Sequence, residues 1–136
     1  MADINEYGVD PSQYKILILD DIPVNTRLLE KILEREGFQL NIFNNSSLAL
    51  ESIHDINPDL MLLDIMMPGI DGLTFLTRVR EMHEFDATRI IMISAVSEAD
   101  EIQKANQLGA NDYVTKPINP KRLVSAVYNQ IKQINK

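Results

Sequence analysis

Residues 60–63, Leu-Met-Leu-Leu, are apolar at every position and run directly into Asp64. A continuous apolar run, unlike an alternating one, is the pattern of a strand buried on both faces, and such strands belong to parallel sheets. The residues that follow, Ile65-Met66-Met67-Pro68-Gly69-Ile70-Asp71-Gly72, contain a Pro-Gly turn and an Asp-Gly step able to open a helix. Asp64 therefore stands where a buried strand stops. In open parallel sheets ligands bind beyond the carboxyl ends of the strands, which makes Asp64 the first residue to suspect of chemistry. A lone aspartate at such a place is equally at home as a turn or helix-cap residue. The other strand ends separate the two readings.

The same pattern recurs along the chain. Lys15-Ile16-Leu17-Ile18-Leu19 is a short apolar run ending at Asp20-Asp21. Ile90-Ile91-Met92-Ile93 ends at Ser94, and Asp112-Tyr113-Val114-Thr115 ends at Lys116-Pro117. Gln39-Leu40-Asn41-Ile42-Phe43 alternates and reads as a half-exposed edge strand. Helical spacing fills the intervals. Pro23 suits a first helical turn, with Val24, Leu28, Leu29, Ile32 and Leu33 as one apolar stripe and Gly37 as the stop. Asn44, Asn45, Ser46 and Ser47 offer N-caps to a helix with Leu48, Ala49, Ser52, Ile53 and Ile56 inward, broken before Pro58. Asp71 can cap a helix carrying Phe75, Leu76, Val79 and Met82. Ser97 and Asp100 resemble a capping box for a fourth helix, which stops at Gly109. Asn119-Pro120 opens the last helix, carrying Leu123, Val124, Val127, Ile131 and Ile134. Five strand–helix units predict an α/β fold: a doubly wound, flavodoxin-like parallel sheet of order 2-1-3-4-5 with helices on both faces.

A chain of 136 residues suits one domain with a single core. Residues 1–13 carry Gly8 and Pro11 and no periodicity. They read as a lead-in, either loose or turned back onto a domain spanning 14–136. The absence of cysteine excludes disulfides and thiolate metal sites and suits a reducing, cytoplasmic setting. No apolar run approaches the roughly 20 residues that span a bilayer, and Met1 to Gln13 has no apolar block of the signal-peptide kind. No membrane association is expected. A net charge of -7 disfavours direct binding to a nucleic-acid backbone.

In the 2-1-3-4-5 order, strands 1 and 3 are neighbours and the direction of winding reverses between them. Asp20, Asp21 and Asp64 therefore meet at the switch point. Ser94 and Lys116 come from the next two strands on the same side. Three close carboxylates repel, and Lys116 offsets one charge, leaving about -2, the charge a divalent cation neutralises. Oxygen-only ligands suit Mg²⁺. The Pro68-Gly69 turn leaves the carbonyl of Met66 free as a further ligand. A carboxylate can form an aspartyl-phosphate. A metal, a lysine and a serine hydroxyl stabilise phosphoryl oxygens. Each residue has an ordinary structural role as an alternative: a helix cap for Asp20 or Asp21, a satisfied strand-end hydroxyl for Ser94, a solvated charge for Lys116. Their coincidence at four strand ends favours phosphoryl transfer.

With these residues in this order, the chain resembles the receiver domain of bacterial two-component response regulators over about residues 14–134. The resemblance is carried by Asp20-Asp21, by Asp64 through Gly72, by Ser94-Ala95, by Gly109-Ala110 and by Tyr113-Val114-Thr115-Lys116-Pro117. It implies that Asp64 accepts a phosphoryl group from a histidine kinase or a histidine phosphotransfer protein. It also implies that Asp21, Asp64 and the Met66 carbonyl ligate Mg²⁺, with Asp20 acting through a water. Lys116 would contact the phosphoryl group. Ser94 and Tyr113 would be the switch pair, moving the face built from helix 4, strand 5 and helix 5. The Lys116-Pro117 bond would be cis. An output domain or protein and a phosphorylation-dependent dimer are further implications. The protein would be no enzyme toward external substrates, catalysing only its own phosphorylation and dephosphorylation. Met66 and Val96 are apolar where some relatives carry polar side chains.

Three other readings compete with this one. A haloacid-dehalogenase-type phosphohydrolase also uses a strand-end Asp, a Ser or Thr and a Lys, but needs an acid/base Asp where Met66 stands. A flavin-binding domain of the same fold would place Asp20-Asp21 against a phosphate. A degenerate, scaffold-only receiver would not need an intact acceptor, acidic pair, hydroxyl and lysine. His54, His83 and Lys121-Arg122 read as surface residues, and the six methionines mostly as core or loop filler.

Overall fold

The computed structural model describes residues 5–134. Five strands, β1 (Lys15–Leu19), β2 (Gln39–Phe43), β3 (Leu60–Asp64), β4 (Arg89–Ser94) and β5 (Asp112–Thr115), form one sheet of order β2-β1-β3-β4-β5. All four pairings are parallel. The helices are α1 (Pro23–Glu34), α2 (Ser46–Ile56), α3 (Gly72–Arg80), α4 (Ala99–Gln107) and α5 (Pro120–Ile131).

The continuous apolar runs have their cause in the two faces of this sheet. Ile16, Ile18, Leu60, Leu62, Ile91 and Ile93 point to one side, into a core closed by Leu29 and Leu33 of α1 and Leu123, Val127 and Ile131 of α5. Their chain neighbours Leu17, Leu19, Met61, Leu63, Ile90 and Met92 point to the other, against Ile53 of α2, Phe75, Leu76 and Val79 of α3 and Ala105 of α4. Successive side chains of a strand alternate between faces, so a strand sandwiched between helices must be apolar throughout. Burial of each such side chain contributes about 1.5–3 kcal/mol.

Several helical details depart from the local pattern. Val24 and Leu28 are 63% and 46% exposed, and only Thr26, Leu29 and Leu33 of α1 are buried. The stripe is thus narrower than its spacing suggests, because α1 meets the sheet along one line beside α5. Leu48 is likewise exposed at the start of α2. Asn45 alone caps that helix, accepting from Leu48 N–H. The capping box at Ser97 and Asp100 does not form: Glu98 is the N-cap, and no side chain there bonds the helix. Met82 lies beyond α3 and Ile134 beyond α5, although both pack on the core. Phe85, in a short 3-10 turn after α3, is fully buried.

Residues 5–14 pack on the domain. Val9 is buried against the α1–α5 side of the core, and Tyr7 stacks on Tyr128 with ring centroids 4.0 Å apart. Asn5 donates to the Tyr128 hydroxyl at 2.7 Å, and that hydroxyl donates to Glu36 at 3.0 Å. Burial, and then the Glu36 carboxylate beside it, push the phenol above its ordinary pKa. Arg80 closes the opposite side. Its guanidinium donates to Gly109 O, Phe85 O and Asn111 Oδ1, tying the end of α3 to the segment before β5. Among the described residues no helix is long and apolar enough to cross a membrane.

Candidate functional site

Asp20 and Asp21 follow β1, Asp64 closes β3, Ser94 closes β4 and Lys116 follows β5. Because all strands run parallel, these ends share one edge of the sheet, and β1 lies beside β3. One carboxylate oxygen from each of Asp20, Asp21 and Asp64 lies within 4.8 Å of the others. Lys116 reaches across the edge, its Nζ 3.1 Å from Asp20 Oδ2 and 3.3 Å from Asp64 Oδ1. The Lys116-Pro117 bond is cis.

The three carboxylates are not equivalent. Asp20 is committed. Its Oδ1 accepts from Ile22 N–H at 2.9 Å and from Asn25 Nδ2 at 3.4 Å, and its Oδ2 accepts from Lys116. Asp64 is buried and has Lys116 as its one charged donor. Asp21 Oδ1 is the single buried side-chain polar atom among the described residues with no hydrogen-bond partner. A buried carboxylate oxygen left unpaired is costly. A cation removes that cost, and the all-oxygen donor set suits a hard one.

Electrostatics follow from the packing. Burial raises the Asp64 pKa, and the Asp20 carboxylate adds to the rise, against the pull of Lys116. Burial opposes the Lys116 ammonium, but the hydrogen bond and charge of Asp20, with those of Asp64, outweigh it and its pKa rises. A raised acid favours its neutral form in the fold. Asp64 therefore withdraws stability as pH climbs from its ordinary value, 3.8, through the higher folded value. Asp64→Asn is expected to melt a few degrees above wild type at pH 7 without divalent cations, and the gap should close as pH falls toward 4. Melting curves at the two pH values check this; a variant less stable at pH 7 would contradict it.

The Ser94 and Tyr113 side chains bond Val96 and neither the carboxylates nor Lys116. Ser94 is fully buried, and its Oγ accepts from Val96 N–H at 3.1 Å. Tyr113 is turned inward and its hydroxyl donates to Val96 O at 2.7 Å. The serine and the tyrosine thus hold the same residue of the β4–α4 loop. Met66, whose carbonyl is a candidate ligand, exposes 69% of its surface. His54 and His83 stay away from the site, each beside an acid, Glu84 and Asp86. Arg122 is less free than its position suggests, with Tyr113 O at 3.4 Å and Asp112 at 3.5 Å.

Two contacts escape the sequence reading. Gly72 packs so tightly that a Cβ there would lie 2.1 Å from Asp64 O. Asn44, which follows β2, donates to Asp20 O at 2.8 Å and to Thr26 Oγ1 at 3.0 Å. A signal for Asn44 exists: β2 also ends at this edge, and a comparison of strand ends that omits the edge strand passes it by.

Comparison with known proteins agrees with this geometry. Residues 16–128 match the response regulator receiver domain family. The chain is 32% identical over 125 residues to the DNA-binding response regulator MtrA of Mycolicibacterium smegmatis, covering 92% of this chain and 54% of that protein. It is 37% identical over 116 residues to the transcriptional regulatory protein ResD of Bacillus subtilis, covering 85% and 47%. It thus spans about half the length of the curated relatives it matches. A two-component response regulator from Clostridium difficile superimposes with a TM-score of 0.84 at 28% identity, covering 91% of this chain and all of the other. An acidic triad and a lysine gathered on one edge of a 2-1-3-4-5 sheet, in a sequence that matches this family over most of its length, place the chain among the receiver domains of two-component response regulators.

Proposed function

We propose that Asp64 is the phospho-acceptor, taking a phosphoryl group from a phosphohistidine of a histidine kinase or phosphotransfer protein. The observation that carries this is the acidic triad itself: Asp64 buried and held by Lys116, with Asp21 Oδ1 unpartnered beside it. In the reaction an Asp64 oxygen attacks phosphorus and the P–N bond breaks. The departing imidazole nitrogen keeps the bonding electron pair, and the ring leaves neutral by taking a proton from solvent. Lys116 donates to a phosphoryl oxygen and Ser94, once its side chain rotates, to another. Asp21, Asp64 and the Met66 carbonyl would hold Mg²⁺, with Asp20 acting through a water. Bound there, the ion offsets carboxylate repulsion and phosphoryl charge. Turnover of external phosphomonoesters is not expected, since Met66 supplies no acid or base.

Exposed apolar side chains support the donor reading. Ile22, Val24 and Leu28, in the turn after Asp21 and along α1, are exposed, and Leu28 lines a cavity of about 260 Å³ with Asp20, Asn25, Lys116 and Ile118. A protein partner delivering its phosphohistidine to Asp64 would cover them. The output is an attached domain or a separate protein, reached through the α4–β5–α5 face and, on phosphorylation, through a dimer. The setting is the cytoplasm.

The test is incubation with acetyl phosphate and Mg²⁺. Intact mass is expected to show one added phosphoryl group on wild type and none on Asp64→Asn. Equal modification of both would refute the assignment. In the phosphorylated sample, amide resonances of Tyr113 and Ile102 should shift along with those of the site; shifts confined to the acidic cluster would refute the switch.

A further inference from the structure

We propose that Asn44 is a positioning residue for the cation site, holding the Asp20–Asp21 peptide in the arrangement that keeps the Asp21 carboxylate inside the acidic triad. The inference rests on the cation-binding reading above and assigns a new residue to it.

The backbone of Asp20 is held from β2 at both of its polar groups. Asp20 N–H donates to Phe43 O at 3.2 Å, and Asp20 O accepts from Asn44 Nδ2 at 2.8 Å. The same amide reaches Thr26 Oγ1 at 3.0 Å, and Thr26 in turn donates to Pro23 O at 3.0 Å. One side chain from the sheet edge thereby ties down both the end of β1 and the first turn of α1. Asp20 has other anchors, through Ile22, Asn25 and Lys116. Asp21 has none on its Oδ1. The direction of the Asp21 side chain is set by the peptide that precedes it, and the oxygen of that peptide is the atom Asn44 holds.

The forces on this loop make the clamp matter. Three carboxylates confined together repel, and Lys116 bonds only Asp20 and Asp64. Asp21, half-buried and unpaired, lowers its energy by swinging toward water. A loop free to turn at the Asp20–Asp21 peptide would make that move. Asn44 prevents it and so pre-forms a ligand arrangement that the uncompensated charges would otherwise open. Residues that orient ligands from behind commonly change metal affinity by about 10- to 100-fold when removed.

The experiment is an amide NMR titration with Mg²⁺ of wild type, Asn44→Ala, Asn44→Ser and Asp21→Asn. Asn44→Ala should bind Mg²⁺ about tenfold more weakly while keeping a folded spectrum. Asn44→Ser, whose hydroxyl is a donor on a side chain one bond shorter and so reaches Asp20 O only through a water, should fall between it and wild type. With acetyl phosphate, the Mg²⁺ concentration for half-maximal phosphorylation should rise by the same factor. The rate at saturating Mg²⁺ should return to that of wild type. General loosening of the fold would instead lower the saturated rate. Wild-type Mg²⁺ affinity in Asn44→Ala, or a lowered saturated rate with unchanged Mg²⁺ dependence, overturns the proposal. If wild type and Asp21→Asn titrate alike, the cation reading itself fails. If Asp21→Asn alone loses Mg²⁺, only the role of Asn44 falls.

Discussion

Gly72→Ala is expected to damage both the fold and the acceptor, more than any other exchange of glycine for alanine near the site. A Cβ at this position would lie 2.1 Å from Asp64 O, 2.7 Å from Ile65 Cα and 2.8 Å from Asp64 C. All three are backbone atoms of the strand end that presents the acceptor, so no flexible side chain can give way. The glycine N–H is also engaged, donating to Ile65 O at 2.9 Å. Either β3 retreats at its last residue, or the start of α3 lifts away and pulls Phe75 and Leu76 from the core. Overpacking of this kind costs about 3 kcal/mol, which for a domain of this size lowers Tm by on the order of 10 °C. A reacting carboxylate displaced by about 1 Å loses roughly a hundredfold in rate, so phosphorylation by acetyl phosphate should fall by that order in the fraction that stays folded. Gly69→Ala is the control. Gly69 has φ +74°, but nothing lies within 4 Å of the place its Cβ would take. Its replacement meets only left-handed backbone strain, about 1 kcal/mol. Thermal melts and phosphorylation rates of both variants decide the matter, and an equal or larger loss at Gly69 would refute the close-approach argument.

The second large effect concerns how long the phosphoryl group stays. Hydrolysis requires a water oxygen to attack phosphorus opposite the Asp64 oxygen, which leaves with the bonding pair while the water proton passes to solvent. Met66, two residues after Asp64, and Val96, two after Ser94, are expected to flank that approach. Met66 is largely exposed, and Val96 is held by its own backbone, with its N–H on Ser94 Oγ and its carbonyl on the Tyr113 hydroxyl. Neither side chain can orient a water: a thioether is a weak acceptor and valine has no polar atom. Placing a nucleophile contributes one to several kcal/mol, and about 1.4 kcal/mol is tenfold in rate. Self-dephosphorylation of the wild type should be slow, leaving a partner phosphatase or back-transfer to a kinase to end the signal. The double change Met66→Asn with Val96→Glu should shorten the lifetime by about tenfold or more without preventing phosphorylation. The measurement is decay of the phosphorylated mass in Mg²⁺ after acetyl phosphate is removed. Loss within seconds in wild type, or no acceleration in the variant, would show that other groups govern the lifetime.

The strands, their order and the acidic edge were legible in the chain because each depends on local information. A strand buried on both faces must be apolar at every position, so Lys15–Leu19, Leu60–Leu63 and Ile90–Ile93 announce themselves. Once strands alternate with helices, right-handed crossovers leave few arrangements, and the strand-end residues must share an edge. Asp20, Asp21, Asp64, Ser94 and Lys116 each end a strand or follow one directly, so they gather on that edge.

Which groups are satisfied there, and by whom, was decided by the tertiary structure. Lys116 bonds Asp20 and Asp64 across 96 and 52 residues of chain, and leaves Asp21 unpartnered. Asn44 can cap a helix as far as its neighbours reveal; that it holds Asp20 O instead depends on β2 pairing with β1. Gly72 is required by the approach of α3 to the end of β3, not by a left-handed φ that a turn motif would signal. Val24 and Leu28 fit an apolar stripe by spacing, yet the line of contact between α1 and the sheet leaves them outside. Periodicity reports how a segment coils and which side is apolar. How much of that side is covered, and which polar atoms meet across the chain, depends on the distance and angle at which two packed elements finally lie.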